Sequence, residues 1–382
     1  MKILHVLADF QLGGGYLPAI LPLCKYLIKL GHTVEVVAVN SEGGNFDIIK
    51  TFPLKGLPAW SRSPTLDDWL GSNVKDFDVV HIHGLWSYPQ FRASQHAINN
   101  KVPYVVSPHG IFIEPMRYSG LKKKLYWNLI GRGVVGSAQA IHVTSDLELD
   151  GCKIAGIQNA LVMIPWGVDI SNHLEKSGGE SARRMWPTLA NKRILLYLSR
   201  ISPEKGLDQL LLAISSLRDM HENFILVIAG QDDEKYRYKE VLDALIKKNG
   251  LQGHVFFTGL VQGQAKYALL AEADIFVMPS YGENFSFSIA EALSCGVPVI
   301  TTTKTPWRSI QEVSAGCCVA PNVDALCGAL NQLLSLSSKE LIEMGERGRG
   351  LINDKYDWTL ISKRFENFYK SICDKNISID GY

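Results

Sequence analysis

Residues 193–217, RILLYLSRISPEKGLDQLLLAISSL, contain the pattern that decides the fold. An unbroken apolar run is followed by a short turn with one proline and one glycine, and then by apolar residues at helical spacing. Continuous rather than alternating apolar residues are typical of a strand that is buried on both faces of a parallel sheet. The stretch therefore predicts a strand, a tight loop and a helix that packs back onto the sheet.

The same alternation of apolar runs and helical segments extends through the whole chain. The runs are KILHVLA, HTVEVVAVN, DVVHIHG, PYVVSPHG, AIHVTS and LVMIPWG in the first half, and RILLYLSR, FILVIAG, HVFFTG, DIFVMPS, PVITTT and CCVAP in the second half. Two successive β-α-β-α series predict an α/β protein with two doubly wound, Rossmann-like domains that face a central cleft. A ligand is expected in that cleft, outside the carboxyl ends of the strands.

The predicted boundary between the two domains is the polar segment 169–189, which has no strand-like run. Residues 1–168 are then the N-terminal domain, and residues 190–357 are the C-terminal domain. A chain of 382 residues is long enough for two such domains.

The bulk composition excludes several classes of protein. A formal net charge of +1 argues against a nucleic-acid-binding protein, because such proteins normally carry a strong basic excess. The first ten residues are interrupted by His5 and Asp9, so they make a poor signal peptide. The seven cysteines contain no CxxC pair, which favours a reducing, cytoplasmic location.

Two cations stand in the loop SRISPEKG, between a predicted strand and its helix. Arg200 and Lys205 oppose the usual preference for negative charge near a helix N-terminus. A bound polyanion such as a diphosphate would explain this placement. The alternative is two solvated surface charges, which is the usual state of Lys and Arg.

Other candidate residues also follow predicted strands. His109 in SPHGIF could donate a hydrogen bond to a substrate hydroxyl, although a lone histidine is often only a core or surface residue. His83 and Trp86 in HIHGLW follow a neighbouring strand, and Trp86 is equally consistent with a core position. Gly13, Gly14 and Gly15 could bring backbone N–H groups to an anion, or could simply form a tight turn.

Two carboxylates, Glu283 and Glu291, lie in GENFSFSIAEALSCGVPVI. If Arg200 and Lys205 bind a diphosphate, one carboxylate could accept from sugar hydroxyls and the other from ribose hydroxyls, with the backbone N–H groups of residues 284–286 beside them. The alternative for Glu291 is a capping box with Ser288 as the N-cap residue, and the alternative for Glu283 is a solvated loop charge.

The motifs GGG, PHG, SRISPEKG, FTGLV and ENFSFSIAE, in this order, resemble those of the retaining glycosyltransferases of family 4, which have the GT-B fold. PHGIFIEPMRYSGLKKKLYW is similar, more narrowly, to enzymes of bacterial exopolysaccharide assembly. The resemblance implies donor-binding roles for Gly14, Gly15, Arg200, Lys205, Gly230, Leu260, Glu283, Asn284, Phe285, Ser286 and Glu291. It implies acceptor-binding roles for Gly15, His83, Trp86 and His109, and catalytic roles for His109, Arg200, Lys205 and Glu283.

The function implied by the resemblance is the transfer of a hexose, with retention, from a UDP-sugar to a hydroxyl of a saccharide or lipid-linked saccharide. Glucose is the favoured sugar, and no metal or other cofactor is expected. The resemblance also implies that a C-terminal helix, about 358–382, packs back on the N-terminal domain. Three departures from the family pattern are Ser286 in Asn-Phe-Ser, Trp166 in IPWGVD, and the loop after Gly230.

Competing interpretations are a non-hydrolysing sugar-nucleotide epimerase of the GT-B fold, a non-enzymatic sugar-binding protein, and a nicotinamide dehydrogenase. The missing GxGxxG counts against the dehydrogenase. Arg117, Lys122, Lys123, Lys124 and Arg132 alternate with Leu and aromatic residues, which predicts either peripheral contact with the inner face of the plasma membrane or an ordinary solvated helix.

Overall fold

The computed structural model describes residues 1–9, 17–40, 44–46, 48–55, 60–113, 120–169, 181–217, 224–233 and 236–374. The chain divides into two compact units. We call Met1–Gly167 together with Trp358–Tyr382 the N-unit, and Val168–Asp357 the C-unit.

The N-unit contains an eight-stranded sheet with the strand order β3-β4-β2-β1-β5-β6-β7-β8. Its strands are β1 (Lys2–Asp9), β2 (Thr33–Asn40), β3 (Gly44–Phe46), β4 (Ile49–Pro53), β5 (Val79–His83), β6 (Tyr104–Ser107), β7 (Ala140–Val143) and β8 (Ala160–Met163). All neighbouring strands are parallel except β3 and β4, which are antiparallel.

The C-unit contains a six-stranded, fully parallel sheet with the order β11-β10-β9-β12-β13-β14. Its strands are β9 (Arg193–Leu198), β10 (Phe224–Ala229), β11 (Val255–Gly259), β12 (Ile275–Met278), β13 (Val299–Thr302) and β14 (Gly316–Val319). The strand order reverses between β9 and β12, as it does between β1 and β5 in the N-unit. These reversals are the positions at which doubly wound sheets bind ligands.

Helices cover both sheets. They are α1 (Leu17–Lys29), α2 (Pro64–Asn73), α3 (Tyr88–Asn99), α4 (Leu121–Tyr126), α5 (Arg132–Gly136), α6 (Asp146–Ile154), α7 (Ala182–Met185), α8 (Leu207–Ser215), α9 (Tyr238–Lys248), α10 (Gly263–Glu272), α11 (Phe287–Ser294), α12 (Ser309–Glu312), α13 (Val323–Leu334), α14 (Ser338–Lys355) and α15 (Trp358–Cys373). A π-helical turn, Trp127–Gly131, joins α4 to α5. Helix α15 packs on α1 and β5, and the ring of Trp358 fills the space where Gly167 lacks a Cβ.

The two faces of the N-unit sheet differ in chemistry. On β5, Val80 and Ile82 point into an apolar core with α2 and α3, whereas His81 and His83 point to the opposite face. That opposite face is covered by α15, whose Phe365 and Tyr369 contact His81. This side of the sheet therefore contains buried histidines, whereas the other side is apolar.

The structure confirms the predicted α/β class with two doubly wound sheets. It also contains strands β3 and β4, which the sequence analysis did not predict. Strand β4 lies toward the sheet edge, exposes Lys50 and ends at Pro53, so it lacks the long apolar run of a central strand. Within the described ranges, no helix is both long and apolar enough to cross a membrane.

Candidate functional site

Two loops meet at the strand-order reversal of the C-unit. The loop after β9 carries Arg200 and Lys205, and the loop after the neighbouring strand β12 carries Glu283. The N–H of Tyr281 donates to the carbonyl of Glu204, which ties the loops together at 2.9 Å. Gly206 has φ +69° and lies so close to the carbonyl of Pro279 that a Cβ would be 2.2 Å from its oxygen. Only glycine fits this close crossing.

Lys205 and Glu283 form an ion pair with Nζ and Oε1 2.7 Å apart. Their side chains are only 12% and 10% exposed. A buried carboxylate is tolerated where a cation lies at hydrogen-bond distance, and removing one partner would leave an uncompensated charge. The structure thus brings together two residues that the sequence analysis assigned to one site, and Glu283 is not a solvated loop charge.

Arg200 is placed differently from Lys205. Its side chain is 64% exposed, and its guanidinium lies 3.5 Å from both Glu204 and Asp233. Exposed pairs at this distance contribute little to stability. Arg200 therefore lies in the same loop as Lys205, but its side chain is mostly exposed.

Glu291 lies on α11, the helix that follows the same loop, and its Oε1 is 2.6 Å from Nζ of Lys266 on α10. The capping-box alternative is wrong, because α11 begins at Phe287 after the N-cap residue Ser286 rather than at Ser288. Sequence reasoning missed Lys266, since nothing in QGQAKYALL distinguishes it from an ordinary surface lysine.

The segment before α11 combines a buried aromatic side chain with an unusual backbone conformation. The Phe285 side chain is 4% exposed and packs against Phe287 and Trp307, so it belongs to the core. Ser286 adopts φ +64°, a conformation that non-glycine residues seldom take outside constrained loops. The strained residue therefore lies between Glu283 and Glu291 in the sequence.

The other predicted donor residues follow two further strands of the C-unit or lie outside the described residues. Leu260 follows β11 and is 59% exposed. Gly230 follows β10, where a Cβ would be 1.8 Å from the carbonyl oxygen of Ser199, so glycine is required by packing alone. Gly14 and Gly15 lie outside the described residues.

In the N-unit, His109 follows β6 with φ +56°, and Gly110 follows it with φ +82°. Glu148, fully buried on α6, accepts hydrogen bonds from the N–H of Gly110 and from both the N–H and the hydroxyl of Thr144. Burial raises the pKa of the Glu148 carboxyl, while these hydrogen bonds oppose the shift. Glu148 thereby fixes the backbone next to His109.

Sequence reasoning missed Glu148, although Ser145 and Glu148 have the spacing of a capping box. The Ser145 side chain does cap α6 by accepting from the Glu148 N–H. The Glu148 carboxylate instead reaches the loop of Gly110. The motif could have located the helix start but not this second contact.

The imidazole of His109 is held between two rings. Its Nε2 is 3.0 Å from Nδ1 of His83, and its ring stacks on Trp166 with centroids 5.8 Å apart and an interplanar angle of 13°. Trp166, the departure from the family pattern noted in IPWGVD, is therefore a direct neighbour of His109. Burial lowers the pKa of His109 well below its ordinary value, so the ring is neutral at neutral pH.

Trp86 lies in an aromatic cluster rather than alone at the surface. Its ring contacts Tyr126 edge-on at 5.5 Å, Tyr126 contacts Trp60 in the same way, and Nζ of Lys123 lies 5.7 Å from the Trp86 centroid. Trp86 also packs on the apolar core of the N-unit. The structure brings His83 and His109 together and places Trp86 in this separate cluster.

Two family models match the chain: Glycosyltransferase Family 4 over residues 18–172, and Glycosyl transferases group 1 over residues 180–366. With two doubly wound units and a charged loop at the strand-order reversal, the protein is a glycosyltransferase of the GT-B fold. More narrowly, the chain belongs to glycosyltransferase family 4. This confirms both the family and the fold that the motif order predicted.

Relatives align along almost the whole chain. The GDP-mannose:cellobiosyl-diphosphopolyprenol alpha-mannosyltransferase of Xanthomonas campestris is 26% identical and covers 97% of this chain and 96% of its own. The phosphatidyl-myo-inositol mannosyltransferase of Mycolicibacterium smegmatis is 25% identical over 97% of this chain and 94% of its own. The crystal structure of Anabaena Alr3699/HepE in complex with UDP and glucose superimposes with a TM-score of 0.78, at 17% identity, and covers 97% of this chain and 100% of its own.

Proposed function

We propose that this glycosyltransferase moves a hexose, with retention of configuration, from a nucleoside diphosphate to a hydroxyl of a saccharide or lipid-linked saccharide in exopolysaccharide synthesis. The observation that carries the proposal is the buried Lys205–Glu283 pair at the strand-order reversal of the C-unit. Lys205 provides a cation for the diphosphate and Glu283 provides a carboxylate for sugar hydroxyls, and the two side chains lie at hydrogen-bond distance from each other.

Each charged residue of the C-unit has a proposed task. Arg200 and Lys205 stabilise the negative charge that grows on the leaving diphosphate, as preorganised cations do in other transfer reactions. Glu283 accepts hydrogen bonds from the sugar, and Glu291, oriented by Lys266, accepts from the ribose. In the N-unit, His109 donates to a sugar hydroxyl.

In the proposed reaction, the bond between the sugar carbon and the diphosphate oxygen breaks while the acceptor oxygen bonds to the same carbon on the same face. The proton of the acceptor hydroxyl passes to the departing phosphate oxygen. Arg200 and Lys205 supply the positive charge that a metal ion supplies in other enzymes, so we propose a metal-independent reaction.

The identity of the donor is the finer part of the proposal. The sequence analysis favours UDP-glucose, whereas GDP-mannose appears in the name of the Xanthomonas campestris relative. Both are hexoses on a nucleoside diphosphate, and the proposed roles of Lys205, Glu283 and Glu291 apply to both. Distinguishing the base and the sugar therefore requires a direct comparison of how tightly the protein binds different sugar nucleotides.

Calorimetric titration in EDTA tests the proposal with UDP-glucose, UDP-galactose, UDP-GlcNAc and GDP-mannose. We expect one of them to bind tightly, to bind at least tenfold more weakly to Glu291→Ala, and to bind normally to Lys339→Ala. Lys339 is a suitable control because its side chain is 86% exposed on α14 of the same unit. Folded protein that binds none of the four would contradict the proposal.

The competing epimerase function predicts a different product. An epimerase would convert its sugar nucleotide without any acceptor, and proton NMR of the sugar nucleotide alone would show the second epimer. A transferase leaves the sugar nucleotide unchanged until an acceptor is added. The anomeric coupling of the product then reports whether the configuration is retained.

We also propose that the N-unit contacts an anionic membrane surface. Leu121, Leu125 and Leu129 recur every fourth residue and are 83%, 57% and 73% exposed. Lys122, Lys123 and Lys124 are exposed between them. An apolar stripe flanked by lysines suits the boundary between lipid headgroups and acyl chains.

Co-sedimentation with phosphatidylglycerol vesicles tests this contact, with phosphatidylcholine vesicles for comparison. Changing the three leucines to Gln, or the three lysines to Glu, should abolish sedimentation with the anionic vesicles. Ile342→Gln is the matched control, because Ile342 is also exposed, at 63%, but lies on α14 of the C-unit. Equal sedimentation of all variants with the anionic vesicles would contradict the proposed membrane contact.

A further inference from the structure

The histidine-lined face of the N-unit sheet contains more polar groups than the proposed role of His109 explains. His5 on β1 lies beside His81 on β5, and His83 lies beside Ser107 on β6. Hydrogen bonds link these residues, together with His109, His142 and Tyr369, into two chains. Each chain has a single direction of hydrogen-bond donation.

In the first chain, a carbonyl fixes the direction. His142 Nε2 lies 2.7 Å from the carbonyl oxygen of Ile164, which can only accept, so the proton is on His142 Nε2. Burial lowers the pKa of His142 to about 4, so its Nδ1 is unprotonated and accepts from the hydroxyl of Ser107 at 2.6 Å. Ser107 in turn accepts from His81 Nε2, also at 2.6 Å. Since His81 is neutral, its Nδ1 accepts from the hydroxyl of Tyr369 at 2.7 Å.

The second chain runs from the interior to His109. His5 Nδ1 lies 2.9 Å from His83 Nε2, and His83 Nδ1 lies 3.0 Å from His109 Nε2. Because the rings are neutral, one proton occupies each link, and the two links must point in the same direction. Either His5 donates toward His109, or His109 donates toward His5.

The inner end of this chain decides between the two directions. His5 Nε2 is buried and has no hydrogen-bond partner among the residues that the structure describes. If His109 donated inward, His5 Nε2 would carry a buried N–H without an acceptor, which is a rare and costly arrangement in proteins. If His5 donates outward, Nε2 retains only an unused lone pair.

We propose that His5 and His83 are positioning residues that hold His109 as the Nδ1–H tautomer. His83 Nδ1–H donates to His109 Nε2, so His109 acts through Nδ1–H as a neutral hydrogen-bond donor and not as a base. The stack on Trp166 fixes the plane of the same ring. The identification of a sugar hydroxyl as the acceptor for the His109 Nδ1–H rests on the proposed function. The assignment of the tautomer does not.

A cluster of histidines could alternatively bind a metal ion. Ligand atoms of His5, His81 and His83 lie within 4.8 Å of one another. In the arrangement derived above, however, only His5 Nε2 has an unused lone pair, because hydrogen bonds engage the other ring nitrogens of these three residues. A metal ion would have to replace those hydrogen bonds, so the geometry favours the tautomer.

Long-range ¹⁵N–¹H correlation NMR of the full chain, labelled with ¹⁵N-histidine, tests the proposal without any substrate. Protonated and unprotonated ring nitrogens differ widely in ¹⁵N shift, and the coupling pattern shows which nitrogen carries the proton. We expect Nδ1–H for His5, His83 and His109, and Nε2–H for His81 and His142. An Nε2–H tautomer or a charged ring for His109 at neutral pH would overturn the proposal.

Variants separate a positioning role from a merely structural one. In His83→Phe, His109 should lose the enforced Nδ1–H state, and kcat should fall about 10²-fold, as expected for a misoriented group, with little change in donor KM. In His83→Asn, whose amide can still donate, part of the activity should return. His32→Asn is the control, because His32 lies in the N-unit but bonds to Glu366 and the N-terminus instead.

The two proposals can fail separately. An Nδ1–H signal for His109 in a protein that binds no sugar nucleotide would retain the tautomer and reject the transferase function. An Nε2–H signal in an active transferase would do the reverse. If His83→Phe does not fold, the wild-type spectrum alone still decides the tautomer.

Discussion

The two units contain buried polar groups that are stabilised in opposite ways. The C-unit pairs charges, with Lys205 against Glu283 and Lys266 against Glu291, each at less than 3 Å. The histidine network of the N-unit instead carries no charge, because burial keeps its rings neutral and hydrogen bonds connect them. Paired charges suit a charged ligand such as a diphosphate, and neutral donors suit sugar hydroxyls.

This difference predicts that the two units respond differently to pH and to mutation. A neutral buried histidine is destabilised by protons, whereas an ion pair is destabilised by loss of its partner.

The largest effect is expected from acid acting on the buried histidines of the N-unit, because five rings have lowered pKa values and act in the same direction. The folded pKa of His5 is about 3 and that of His142 about 4, both below the ordinary value of 6.5. The unfolded chain therefore binds more protons, and stability is lost as pH falls below 6.5. Each ring contributes up to about 1.4 kcal/mol per pH unit, so the two rings together cost about 3 kcal/mol of stability between pH 6.5 and 5.

Urea unfolding of the full chain at pH 7, 6 and 5 measures this loss. His81, His83 and His109 act in the same direction, because burial lowers their pKa values too. Glu148 acts in the opposite direction, since its raised pKa favours the folded state as pH falls. His142→Asn should flatten the pH dependence, and an unchanged slope would contradict the neutral histidine network.

The second-largest effect on the free energy of unfolding is expected from breaking the buried Lys205–Glu283 ion pair. Lys205→Met leaves the Glu283 carboxylate without its cation and should lower the free energy of unfolding by about 3–5 kcal/mol. Adding Glu283→Gln should restore most of this stability but none of the transfer activity. Lys339→Met provides the exposed control, and urea titration with a transfer assay measures both properties.

A smaller effect is expected at Lys266, which sequence reasoning did not identify. The Lys266 and Glu291 side chains are 21% and 18% exposed, so water screens the pair more than it screens Lys205 and Glu283. Lys266→Met should lower the free energy of unfolding by about 1 kcal/mol and weaken donor binding more than Lys339→Met does. Unchanged donor affinity would separate Lys266 from the ribose-binding role of Glu291.

The sequence singles out more of the C-unit charges than of the N-unit histidine network for a physical reason. Arg200, Lys205 and Glu283 are charges in strand-end loops, where their placement conflicts with local preference and can be seen in the sequence. Lys266 has no such conflict, so only the three-dimensional contact identifies it. The short strand β4 was missed for a related reason, because it combines buried and exposed residues near a proline.

The histidine network of the N-unit does have a sequence pattern that could have predicted part of it. His5, His81, His83 and His142 all lie inside apolar runs that were predicted as strands, and the alternation of strand side chains places His81 and His83 on one face. That spacing could have predicted a histidine-lined face. It could not have predicted the direction of donation, which depends on the Ile164 carbonyl and on the missing partner of His5 Nε2.

The smallest effect on the free energy of unfolding is expected from substituting Arg200, in contrast to the large effect expected from substituting Lys205. Its side chain is 64% exposed and its two carboxylate contacts are both 3.5 Å long, so Arg200→Ala should change the free energy of unfolding by less than about 0.5 kcal/mol. Its transfer rate should nevertheless fall about 10²-fold, because the charge on the leaving diphosphate loses a stabilising cation. Arg237→Ala is the matched control, since Arg237 is 76% exposed and pairs with a carboxylate in the same unit. Equal transfer rates for the two variants would show that Arg200 is only a surface charge, and Lys205 would then be the single cation of the proposed diphosphate site.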